Sequence, residues 1–141
     1  MTTDETSKNL ITVGFDGSGA SLSALQWAVA FAQSTGAELQ VVTAYESKGG
    51  ESIDVARMNA EAVANRAALE RPGDTDLARL AIPGEPTEVL LKCSENSQLV
   101  VVGRHGTGGI IHSSLGSVGD ACARLANCPV VIVPPEAPIT A

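Results

Sequence analysis

Residues 99–118 read LVVVGRHGTGGIIHSSLGSV. The opening run, Leu99 to Val102, is apolar without interruption and β-branched from Val100 on, as suits a strand buried on both faces. Glycines, hydroxyls and both histidines of the chain, His105 and His112, follow at once. Glycine packs no side chain and loses the most backbone freedom on folding, so a cluster of glycines needs a physical reason. From Val118 an amphipathic stretch begins, with Cys122 and Leu125 at helical spacing. A strand that passes through a glycine-rich loop into a helix supplies the reason. Helix N-termini carry unpaired N–H groups and partial positive charge, and glycines let main-chain amides approach an anion unobstructed.

Working outward, four more short apolar runs flank this one: LITVGF (10–15), LQVVTAY (39–45), LARLAI (77–82) and PVVIV (129–133). Each has strand length and is bounded by turn residues. Helical periods separate them. Leu22, Leu25, Val29 and Ala32 recur in steps of three and four before Gly36, and Ala56, Ala60, Val63 and Ala67 do so before Pro72-Gly73. Pro86 suits the first turn of a helix carrying Val89, Leu90 and Cys93. Strand alternating with helix to the end of the chain predicts an α/β domain over residues 1–141, a parallel sheet with helices on both faces and loose tails at 1–8 and 135–141. The third run, with Arg79 inside it and Asp76 before it, reads as a charge-protected edge. Ligands of such sheets bind beyond the carboxyl ends of the strands, where the winding reverses. The VGFDGSG stretch after the first strand and the glycine cluster after the fourth should meet there.

Composition narrows the partners. The 141 residues are 44% hydrophobic and 18% charged, which is globular and not disordered. A formal net charge of −7 argues against nucleic acid or an anionic membrane surface. Aromatic residues, at 3%, are too scarce for a base-stacking platform. The polar, acidic opening MTTDETSKNL has no secretory pattern, no run approaches a membrane span, and three cysteines without ligand spacing fit a reducing compartment. The expectation is a cytoplasmic protein with no metal site built from its own side chains.

Two familiar phosphate motifs are absent. No GxxxxGK[ST] occurs, and Gly14, Gly17 and Gly19 do not match GxGxxG spacing. Without a loop lysine, amide hydrogen bonds would carry phosphate recognition, with Arg104, His105 and His112 as the nearby cations.

The spacing G-x2-G-x9-G-[ST] of Gly103, Gly106, Gly116 and Ser117 resembles the nucleotide-binding signature of the universal stress protein family. ITVGFDGSGASLSALQWA, GEPTEVLL, QLVVVGRHG and NCPVVIVP resemble further segments of that family, so the likeness runs over residues 9–134. It implies a Rossmann-like, adenine nucleotide alpha hydrolase-like sheet of order 3-2-1-4-5, ATP binding with Mg2+, and a nucleotide-dependent regulatory role in stress response without enzymatic turnover. The alternatives are a slow ATPase and a dimeric interaction module that binds no nucleotide. Carried over by position, Gly14 and Asp16 would meet the adenosine part and Ala44 the adenine. Gly103, Arg104 and Gly106 would surround sugar and phosphates, and Gly116, Ser117 and Val118 would hold the phosphate end.

Plainer readings stand beside these. Asp16-Gly17 suits an ordinary turn, Ser18 and Ser21 suit helix caps, and the histidines suit a polar surface. Cys122 and Cys128 suit packing, and Trp27 suits a core or an interface. Gly119, inside the last helix, costs about 1 kcal/mol relative to alanine. The uncharged fifth run, bounded by Pro129 and Pro134, would be the second sheet edge and invites pairing with another copy of the chain, a homodimer through residues 129–133.

Overall fold

The computed structural model describes residues 9–104 and 116–135. In chain order the elements are β1 (Leu10–Gly14), α1 (Gly19–Thr35), β2 (Glu38–Tyr45), α2 (Ile53–Glu70), β3 (Ala78–Pro83), α3 (Pro86–Ser94), β4 (Leu99–Gly103), α4 (Gly116–Leu125) and β5 (Val130–Val133). The strands form one parallel sheet of order β3-β2-β1-β4-β5, with Ile11 opposite Leu39 and Leu99, Val42 opposite Leu80, and Val102 opposite Ile132. Every expected strand is present within two residues of its expected limits. The winding reverses at β1, which lies between β2 and β4.

Alternation along the central strands divides the core. Ile11, Val13, Val41 and Val101 face α1 and α2, packing on Leu25, Ala28, Val29 and Ala67. Val42, Val100 and Val102 face the other way, onto Val89 and Leu90 of α3 and Cys122 of α4. In α2 the buried positions are all alanine, Ala56, Ala60, Ala64 and Ala67, so the helix backbone approaches the sheet closely. Thr12 is the polar exception at the centre of β1, fully buried. Gln40 donates to its hydroxyl at 2.9 Å. Ser97 lies 2.7 Å from it and spends its own proton on the Cys93 carbonyl, so Thr12 donates to Ser97 and each hydroxyl is satisfied.

The two edges differ as their sequences suggest. Ala78, Arg79 and Leu80 of β3 are exposed, whereas Val130 to Ile132 of β5 are half-buried and Val133 is buried. No helix among the described residues is long and apolar enough to cross a membrane.

Candidate functional site

At the carboxyl ends of β1, β2 and β4, where the winding reverses, lies a cavity of about 240 Å³. Its apolar wall comes from Val42, Leu90 and Val102, all nearly inaccessible, with Ala44 and Pro86 beside them. Gly14 belongs to this wall because a Cβ there would stand 3.0 Å from Leu90 Cδ1 and narrow the space.

The polar rim is built by two helix starts. After β1 the chain turns through Gly17 at φ 84, a left-handed value that glycine adopts without strain. The Asp16 carboxylate accepts from the Ser18 amide at 2.9 Å, closing the turn. Ser18 caps α1 by accepting from the Ser21 amide at 3.2 Å, and the Ser21 hydroxyl donates to the Ser18 carbonyl at 3.0 Å. Asp16, Ser18, Ala20 and Ser21 all line the cavity. Across from them Ser117, Val118 and Gly119 bring in the first turn of α4. Both N-termini therefore turn their partial positive charge toward one space, which suits an anionic ligand with an apolar body.

Gly103 also lines the cavity, but it has a packing reason of its own. A Cβ there would lie 2.4 Å from the Ala20 carbonyl oxygen, so only glycine lets the start of α1 seat on the end of β4. Gly119 has room to spare: a Cβ would meet Val102 and Ile132 at 3.8 and 3.9 Å.

Of the residues expected from sequence, Gly14, Asp16, Ala44, Gly103, Ser117 and Val118 are brought together around this space. Gly116 opens α4. Arg104 is not among the lining residues; its amide donates to the Val133 carbonyl at 2.8 Å and extends the β4–β5 pairing. Gly106, His105 and His112 lie outside the described residues. Ser18 and Ser21, which suit caps from sequence alone, also line the site, and Val42, Pro86, Leu90 and Val102 join it without any motif to mark them. Their signal was the alternation of β2 and β4 and the first-turn proline of α3, which fix which side chains look toward α3 and α4.

The thiols near the site are unreactive in character. Burial first, then the charges of Glu85 and Cys128, push the Cys122 thiol up to about 11, and burial raises Cys93 as well. Neither has the stabilised thiolate that a nucleophile needs. Beyond the cavity, the Arg57 guanidinium is held in its charged form by Tyr45 and then Asp54.

Comparison with known proteins bears on this site. The model of the family described as "Universal stress protein family" matches residues 9–134. The chain is similar to the universal stress protein Rv2005c of Mycobacterium tuberculosis, with 31% identity over 132 residues, covering 86% of this chain and 44% of that protein. It thus spans about half the length of the curated relatives it matches. Among solved structures it is similar to a universal stress protein in complex with cAMP, at 29% identity and a TM-score of 0.64, covering 90% of this chain and 97% of that one. The UspA protein of Lactobacillus plantarum superposes with a TM-score of 0.70 at 20% identity, covering 88% and 96%, and shares the fold.

Proposed function

The chain belongs to the universal stress protein family, and on that premise we propose that its strand-end cavity binds an adenine nucleotide. The observation that carries this reading is the pairing of an apolar slot (Gly14, Val42, Ala44, Leu90) with two helix N-termini on its rim. The slot suits a purine held between aliphatic groups. Asp16 offers a carboxylate to ribose hydroxyls or an adenine amine. The α4 start, Gly116 to Val118, offers amides to phosphate oxygens. A similar structure contains cAMP, which favours adenine as the base.

ATP is the preferred ligand. The cavity is smaller than the roughly 300–1,000 Å³ usual for a ligand pocket. It therefore suits base and sugar, leaving a phosphate chain to extend along the start of α4. Among the described residues no three His, Cys, Asp or Glu side chains gather to hold a metal ion. Mg2+ would accordingly be carried on the phosphate oxygens. The chain acts as a cytoplasmic, nucleotide-dependent regulator and not as an enzyme, with two copies joined through β5. Bound ATP shifts a conformational equilibrium that a partner senses.

Denaturing the purified protein and analysing the released small molecules by mass spectrometry tests the central part. The expected result is an adenine nucleotide, with ATP giving calorimetric heat when titrated into the emptied protein. No released nucleotide, together with no heat from ATP, ADP, AMP or cAMP, contradicts the reading. Intact ATP after prolonged incubation with the protein and Mg2+ is the result expected of a regulator, and steady turnover contradicts that part.

A further inference from the structure

The turn that carries Asp16 is gripped from behind by α2. A Cβ built on Gly17 would stand 2.8 Å from Arg66 Nη1, 3.6 Å from Arg66 Cζ and 3.6 Å from Val63 Cγ1. The guanidinium therefore occupies the side of Gly17 on which a side chain would project. Gly17 does not line the cavity, whereas its neighbours Asp16 and Ser18 do, so the contact is on the outer side of the turn. Arg66, about half exposed, also pairs with Glu70, whose carboxylate accepts from Nη2 at 3.3 Å. Val63, one turn earlier on α2, packs against the main core cluster and anchors this contact to the sheet.

We propose that Arg66 is a positioning residue for the nucleotide site, holding the Asp16–Gly17–Ser18 turn so that the Asp16 carboxylate faces the ligand. This rests on the nucleotide reading given above for the ligand, but not for the turn. The turn is tied to the start of α1 by the Ser18 amide donating to Asp16 at 2.9 Å and the Asp16 amide donating to the Ser21 hydroxyl at 3.3 Å, while Gly17, at φ 84, is held by its contact with Arg66 and Val63. A nucleotide that takes hydrogen bonds from the same carboxylate competes with the Ser18 bond. A guanidinium set where a Gly17 side chain would stand holds the turn without using any group the ligand needs. Lysine, a compact ammonium on a flexible stem, reproduces the charge but not the guanidinium's shape.

The test has two arms, both on the full chain. In the nucleotide-free protein, amide hydrogen exchange is followed by NMR in the parent, Arg66→Ala and Arg66→Lys. The expected result is exchange at the hydrogen-bonded amides of Asp16 and Ser18 at least about fivefold faster in Arg66→Ala, an intermediate rate in Arg66→Lys, and unchanged protection at Leu25 and Val29 of α1. Unchanged exchange at the turn, or loss of protection spread evenly through α1, overturns the proposal. In the second arm ATP and AMP are titrated into the same proteins. An equal loss of affinity for both, about five- to tenfold in Arg66→Ala and partly recovered in Arg66→Lys, supports positioning. A loss for ATP with none for AMP means that Arg66 touches the outer phosphates, and overturns it. If the parent binds neither nucleotide, the ligand reading fails, and the exchange arm alone decides whether Arg66 holds the turn.

Discussion

At the residue scale, glycines of one chemical kind have different reasons to be where they are. Gly103 is fixed by the Ala20 backbone, 2.4 Å from the position of a Cβ, whereas Gly119 faces only contacts of ordinary length. Gly103→Ala should cost about 1–3 kcal/mol, the usual range for overpacking, because backbone has to move. Gly119→Ala should gain up to about 1 kcal/mol from helix propensity. Urea unfolding of the two variants reads the difference, and equal midpoints would contradict the packing. Cys122 gives a pH dependence. Its ionisation is raised from the ordinary 9.0 to about 11. Below pH 9 the thiol is protonated in both the folded and unfolded chain, and its contribution is complete. Between 9 and 11 the unfolded chain binds fewer protons, so stability falls as pH rises. The urea midpoint should therefore decline over that window less steeply in Cys122→Val than in the parent. Parallel slopes would show that the thiol is not buried as described.

At the element scale, most of the fold was legible because the strands are short, mostly apolar runs closed by turn residues, and the helices between them carry start or stop signals. Gly36 does end α1 in a left-handed conformation, and Pro86 does open α3. Ser18 combines two readings that the sequence kept apart, since it caps α1 and lines the cavity. Ser18→Ala should lower stability by about 1 kcal/mol, the usual worth of such a cap, in thermal or urea unfolding. What was not legible is tertiary contact between distant segments. The sequence asked a ligand to explain Gly103, and the seating of α1 explains it independently. No local pattern announces that Arg66 of α2 reaches Gly17, because helical spacing tells which face a residue takes and not which loop that face meets. The amide of Arg104 extends the β4–β5 pairing, a long-range partner that its place in the signature does not reveal.

At the scale of the whole molecule, two places can meet other molecules, the β5 edge and the cavity. The Val100 and Arg104 amides donate to the Pro129 and Val133 carbonyls, so the alternate residues Val130 and Ile132 turn their main-chain groups outward. Val130→Pro removes one outward N–H at little cost in volume and is expected to convert a dimer to monomers in analytical ultracentrifugation. A parent that sediments as a monomer at micromolar concentration contradicts pairing through β5. The cavity is tested most directly by titrating ATP with Mg2+ into isotope-labelled protein and following backbone amides by NMR. Shifts concentrated at Gly14, Asp16, Ala44, Gly103, Ser117 and Val118, with the β3 amides still, are expected. An unmoved set at these six positions, with saturable shifts elsewhere or none at all, would contradict a nucleotide site at the reversal of the sheet.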